Sequence, residues 1–362
     1  MRLEVKGVQY DNFISASCEI RLDALSNTFS FEASLPEGEP LPFKGGDPVK
    51  VLVDGELALT GSIEIIEVTY NADNHVVTVS GRDKTGDLLD SSIDALADLR
   101  ADNLTLKNVI ETIIDNIGAD ITVIDNANPE PFNPAEDIAS PEAGDNAFAF
   151  IEKFSRKRQV LLTSDANGNV VIETNRGQTA EGSIQHIIGA SDNNVLASEF
   201  RFDTTGRFNI YKFASQLNPA ALNSAGDTDP TSIVDQSGGV SDAEIRAGRQ
   251  LILVAESPFS STQDEKRAKW ELDIRRARGL IYSATVPGFR VGGDTGDLWK
   301  INRLYQIVDD YLGKQEPMLA NSITFSIDVD NGRQTAIGFV DEKSYSLSLA
   351  KPKTSETATD VV

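Results

Sequence analysis

Apolar and polar residues alternate over most of the first eighty positions, as in GSIEIIEVTYN (61–71) and HVVTVSG (75–81), with β-branched types favoured. A two-residue period predicts strands with one buried face, and the stretch Asn71 to Asn74 reads as the turn between two of them. Beyond Leu89 the period lengthens. Leu106, Val109, Ile110, Ile113, Ile114 and Ile117 recur at three- and four-residue spacing, the pattern of a helix with one apolar face, which Gly118 is suited to end. A short strand (ITVID) and a Pro-rich connection (NPEPFNP) follow. A second helix then carries Phe148, Ile151 and Phe154, and its basic end, Arg156-Lys157-Arg158, suits the negative pole of the helix dipole. In VLLTSDANGNVVIET, Asn167-Gly168 sits between two apolar runs and predicts a hairpin.

Strand patterns resume through VLASEFRFDTTGRFNIYKFAS and give way at 218–248 to a stretch rich in Asn, Ala, Gly, Asp, Ser and Pro, expected to be a long exposed loop. A third helix is expected over about 262–279, with Trp270, Ile274 and Ala277 on one face, and four further strand patterns run to Asp341. The organisation is therefore a β-rich domain (1–92), an α/β domain with two helices and a hairpin (93–182), a second β-rich domain (183–345) holding the loop and the third helix, and a polar tail (346–362). The fold class is multidomain α+β.

Composition removes several functions. The 362-residue chain carries a formal charge of −23, so the Lys and Arg surplus that holds nucleic-acid phosphates is missing. One cysteine, Cys18, excludes an intrachain disulfide or a CxxC site, and two histidines, His75 and His186, leave little for a zinc centre. No stretch approaches the roughly 20 apolar residues that span a bilayer, so stable membrane insertion is not expected.

The densest motif is VSGRDKTGDLLD (79–90). GRDKTG opens like a GxxxxGK[ST] phosphate loop, but Asp87 and Leu88 stand where Lys and Ser or Thr would meet the phosphate. In DKTGD the first four residues also match the phosphorylated-aspartate loop of cation-pumping ATPases, whose next residue is Thr; here it is Asp87. Asp165-Ala166-Asn167-Gly168-Asn169 opens like a calcium loop, yet the sixth position is Val170 and the twelfth Arg176. Catalytic, cofactor-binding and metal residues are accordingly expected to be none. Gly81 and Gly86 are read instead as permitting a sharp exit from the last strand of the first β block, with Arg82, Asp83 and Lys84 pairing at a domain or subunit boundary.

Four segments in this order, VSGRDKTGDLLDSS, RKRQVLLTSDANGNVVI, TQDEKRAKWELDIRRARGLIYSATVPGF and GDLWKINRLYQIVDD, resemble the Mu-type phage baseplate hub family, the 43 kDa tail proteins. The resemblance covers most of the chain between about Val49 and Asp341. It implies a contractile-tail hub fold: a homotrimeric ring to which each subunit contributes two β-barrel-like domains, giving quasi-sixfold symmetry. It also implies the partners, namely a second and third copy of the chain, the tail tube and baseplate proteins, and a membrane-piercing tail spike. Such a hub is made in the bacterial host cytoplasm and sits in the virion tail baseplate, with phage DNA passing its lumen unbound; the acidic balance suits that passage. The competing readings are the hub of a tailocin or secretion-type puncturing particle, and a tail-associated peptidoglycan hydrolase that uses two of the 56 acidic residues.

Overall fold

The computed structural model describes residues 1–34, 41–71, 75–94, 99, 104–132, 140–175, 177–216, 234–236, 239–254, 261–293, 295–342 and 344–345. The first β block comprises β1 (Arg2–Val5), β2 (Val8–Tyr10), β3 (Ser15–Arg21), β4 (Thr28–Ser34), β5 (Pro48–Val53), β6 (Glu56–Tyr70) and β7 (His75–Asp83). The alternation seen in the sequence becomes alternation of burial: along β7 every second residue from Val77 to Asp83 is buried.

A one-turn helix, α1 (Gly86–Asp90), leads into the α/β unit of α2 (Leu106–Ile117), β8 (Val123–Asp125), α3 (Ala147–Arg158), β9 (Leu161–Ser164) and β10 (Val170–Glu173). Thr105 caps α2 by accepting from Asn108 N, and Gly118 ends it in the left-handed conformation at φ 71°. The strands form a small sheet, β8-β10-β9, with β8 parallel to β10. Its core gathers Val109, Ile110, Ile113, Phe150, Ile151, Phe154 and Ile172. Residues 165–169 make the expected hairpin turn, and Asp165 accepts from Asn167 N and Asn169 N, both at 2.9 Å. The Asp-x-Asn spacing that resembled a calcium loop thus closes on its own backbone.

The second β block contains β11 (Thr179–His186) and β12 (Ala197–Phe202). An insert follows, with β13 (Ile210–Gln216), β14 (Val234–Gln236), β15 (Val240–Ser241), β16 (Gln250–Val254) and α4 (Ser261–Gly279). The block ends with β17 (Leu280–Pro287), β18 (Leu304–Asp309), β19 (Lys314–Asp328) and β20 (Gly332–Asp341). The stretch 218–248 departs from the expected exposed loop where it is described: β14 and β15 pair with β13, and Asp242 is fully buried. The reason is a charge cluster. Asp242 accepts from Arg207 and Arg276, each at 2.8 Å, and this ties the segment beneath α4. The rest of that stretch and the tail 346–362 lie outside the described residues.

The two β blocks share one 13-stranded sheet, whose main order is β12-β17-β20-β19-β3-β4-β7-β6-β5-β1-β2. They meet where β3 pairs antiparallel with the outer half of β19, from Ser322 opposite Arg21 to Asp328 opposite Ser15. One continuous core lies beneath both, from Leu3, Val51 and Phe31 to Tyr282, Phe325 and Phe339. The hydrogen-bonded order is open: among the described residues no sheet closes on itself.

The pairings contain a repeat. The order β3-β4-β7-β6-β5 in the first block recurs as β12-β17-β20-β19-β18 in the second, with the five strands in the same chain order. β6 and β19 are each 15 residues long and each shifts register near its middle, between Ile63 and Ile65 and between Ala320 and Ser322. Aligning these bulges places Gly81 with Phe339, Phe29 with Tyr282, Cys18 with Phe200 and Asp83 with Asp341. The insert fills the connection between β12 and β17, where the first copy has only the short turn between β3 and β4.

Candidate functional site

The stretch 79–90 forms a corner where the first β block meets the α/β unit. Gly81 lies inside β7, not at its exit, and its φ is not positive; the glycine is required by proximity. A Cβ there would stand 2.0 Å from the Ser62 carbonyl oxygen and against the Phe29 ring. Gly86 opens α1 beside the Arg82 side chain, where a Cβ would come 3.3 Å from Arg82 Nε. The sharp exit expected from two permissive glycines is made instead by Asp83 and Thr85.

Asp83 is buried and its carboxylate receives five hydrogen bonds. Ser26 Oγ donates at 2.9 Å, Asn27 N at 2.9 Å, Thr85 N at 3.1 Å, Thr85 Oγ1 at 2.5 Å, and Ser164 Oγ also donates. Burial pushes the carboxyl pKa above its ordinary value, against the pull of Ser164, Thr85, Asn27 and Ser26. One side chain thus gathers the β3–β4 turn, the end of β7 and the end of β9. Arg82 points the other way, donating to Glu64 at 2.9 Å and pairing with Asp90, and the Glu64 bond comes first in holding its pKa up. Lys84 donates from Nζ to the Asp120 carbonyl oxygen at 2.9 Å.

The second copy grips the same unit through the residues after its own aspartate, Asp341, and through Asn302. Asn175 Nδ2 donates to the carbonyl oxygens of Glu342 at 2.6 Å and Ser344 at 2.8 Å, while Asn302 Nδ2 reaches Thr174 O at 3.0 Å. On the first copy's side, Thr163 Oγ1 donates to Arg21 O at 2.7 Å. A Cβ on Gly168, at the hairpin tip, would be 2.7 Å from Thr60 O, so the hairpin lies directly on β6. These positions escaped the sequence reading. Their only signal is polar residues at strand ends, which every exposed turn shares.

This arrangement can hold three elements in fixed relation; it does not activate a nucleophile. His186 Nδ1 lies 3.4 Å from Asp309, but that carboxylate also accepts from Tyr282 Oη at 3.0 Å and Leu312 N at 3.0 Å, so it closes the ends of β11 and β18. The His75 ring lies tilted against that of Tyr70, with ring centroids 6.1 Å apart. Among the described residues no three His, Cys, Asp or Glu side chains gather as a metal site, and no helix is long and apolar enough to cross a membrane.

Comparison with known proteins identifies the class. Residues 1–83 match the N-terminal model of Mu phage baseplate assembly protein GpP-like proteins, residues 85–174 the second domain of gp44-like baseplate hub proteins, and residues 260–347 the fourth domain of GpP. The matched segments are all parts of phage baseplate proteins. Baseplate hub protein gp44 of Escherichia phage Mu is 24% identical over 347 residues, covering 95% of this chain and 88% of that protein. The 43 kDa tail protein of prophage MuSo2 from Shewanella oneidensis is 30% identical, with a TM-score of 0.78 over 96% of this chain and 99% of its own. A tail protein from Neisseria meningitidis MC58 shares the fold at 17% identity and a TM-score of 0.77, covering 95% of this chain and 96% of its own. The chain belongs to the Mu-like baseplate hub family, the 43 kDa tail proteins. It is a structural component of a phage tail baseplate, not an enzyme.

Proposed function

We propose that three copies of the chain form a ring that joins the tail tube to a membrane-piercing spike. The observation that carries this reading is the internal repeat: one chain supplies two five-strand units of like topology, so three chains supply six. A ring of six similar units matches a sixfold tube on one side, while its true threefold symmetry matches a trimeric spike on the other. In this reading residues 1–92 and 183–345 are the two ring domains, each barrel-like once the ring is complete, and 93–182 is the α/β domain braced between them. Arg82, Asp83 and Lys84, with Gly81 and Gly86, are then structural: they fix the brace and contact no ligand.

The chain is made in the host cytoplasm and assembles into the baseplate, and DNA passes through the lumen without being held. The charge of −23 supports that passage, because a negative wall repels phosphate. Light scattering or native mass spectrometry of the purified full chain tests the ring, with three chain masses expected. A monomer at every concentration refutes it. For the lumen, fluorescence anisotropy of a labelled duplex at low salt is expected to stay flat as the protein is added; saturable binding refutes the DNA reading.

A further inference from the structure

We infer that the chains join by repeating between copies the strand joint that each chain makes within itself: β12 of one chain pairs antiparallel with the outer half of β6 of the next. This rests on the ring reading above and supplies its contact.

Within the chain, the joint is β3 on the outer half of β19. By the repeat, the counterpart of β3 is β12, and the counterpart of residues 322–328 of β19 is residues 65–71 of β6. Both counterparts lack the partner that the internal joint provides. Among the described residues β12 pairs with β17 alone, and all six of its residues are exposed. Residues 65–70 of β6 pair, among the described residues, with β7 alone, since β5 ends its pairing at Ser62.

The register transfers residue by residue. Ile323 opposite Ile20 becomes Ile66 opposite Phe202; Thr324 opposite Glu19 becomes Glu67 opposite Arg201; Phe325 opposite Cys18 becomes Val68 opposite Phe200. Two independent features of the free edges agree with this register. On the face that is core in the internal joint, three of the residues brought together are large, apolar and exposed, Val68 at 45%, Phe200 at 36% and Phe202 at 52%, while Tyr70 falls opposite Ser198. A strand edge that stays free in solution is normally guarded by charge or proline on that face. On the opposite face the register sets Glu67 against Arg201, an opposite-charge pair across strands. In the isolated chain Arg201 is largely exposed and bonds Asp203 within its own strand end at 2.7 Å.

The joint is head-to-tail, so it runs on from chain to chain until it closes. The first copy passes its edge to the second within a chain, and the second passes its edge to the first copy of the neighbour. Closure at six copies is closure at three chains.

Cross-linking tests the register in the full-length protein. The Val68→Cys/Phe200→Cys double variant, oxidised mildly, is expected to give covalent dimers and trimers on a non-reducing gel. Val68→Cys/Arg201→Cys, whose thiols face opposite sides of the sheet, is expected to give none. Native Cys18 is buried and does not compete. A charge exchange needs no core substitution: Glu67→Arg and Arg201→Glu are each expected to weaken self-association by about tenfold or more, with the double variant restoring it. A trimer by mass that neither cross-links at 68–200 nor responds to the exchange overturns this joint and leaves the ring standing. A wild-type monomer at every concentration overturns both.

Discussion

Replacing Asp83 by Ala removes the one acceptor that serves three chain segments at once. Two of the five donors it leaves are backbone amides, Asn27 N and Thr85 N, in residues that are 2% and 0% exposed, so water does not take over as their partner. An unsatisfied buried donor costs about 1–3 kcal/mol, and the three hydroxyls can rotate toward other acceptors. Removing the desolvated carboxylate returns part of that loss, since its raised pKa records an unfavourable burial of charge. The net expectation is a loss of about 3 kcal/mol at pH 7, read as a lower urea midpoint with an unchanged slope. The pH dependence has a definite sign. A carboxyl whose folded pKa is raised adds stability that is complete below its unfolded pKa and is lost as pH rises through the folded one. The gap between wild type and the non-titrating Asp83→Asn variant is therefore expected to widen as pH falls from 7 toward 4. A change below about 1 kcal/mol in the Ala variant, or a gap that narrows on acidification, would refute the assignment of Asp83 as the buried brace.

Gly81→Val drives a side chain into the Ser62 carbonyl oxygen and is expected to cost about 3 kcal/mol or to prevent folding, measured by thermal unfolding and soluble yield. Arg207→Met removes one of two arginines from buried Asp242; burial pushes that carboxyl up, but bonds from Arg276 and Arg207 hold it below its ordinary value. A loss of about 3 kcal/mol is expected from calorimetry, and a neutral result would mean that Arg276 alone suffices. Asp203 is held at about 2, first by the Thr205 hydroxyl, then by the Thr205 amide and Arg201. A lowered carboxyl contributes stability above its unfolded pKa and loses it as pH falls through the folded value, so Asp203→Asn is expected to flatten acid unfolding between about pH 4 and 2.

The sequence was most legible where a period met a polarity boundary. The run from Leu106 to Ile117 gave a helix with its cap, because six apolar residues at helical spacing allow one buried face. The four late strand patterns appeared as β17 to β20 for the same reason at period two. The repeat stayed hidden because strand pairing is a property of the backbone: Gly81 and Phe339, or Cys18 and Phe200, keep equivalent places in the ladder with nothing in common as side chains. The corner was legible as a cluster of turn residues but misread in mechanism, since sequence cannot tell a glycine chosen for its torsion from one chosen for its lack of bulk. The cluster around Asp242 was not legible at all, because Arg207 and Arg276 reach it from segments 35 and 34 positions away.

Cys18 sits on the central strand of the seam, fully buried, with Phe29 opposite on one side and Phe325 on the other. Burial raises its thiol pKa to about 12, so the reactive thiolate is almost absent at neutral pH while the seam is shut. Opening the seam both hydrates the sulfur and returns it toward its normal acidity. The rate at which a small thiol reagent labels the wild-type chain is therefore a clock on that opening. Set against global unfolding under the same conditions, it separates a sheet that parts first between its two halves from one that yields all at once.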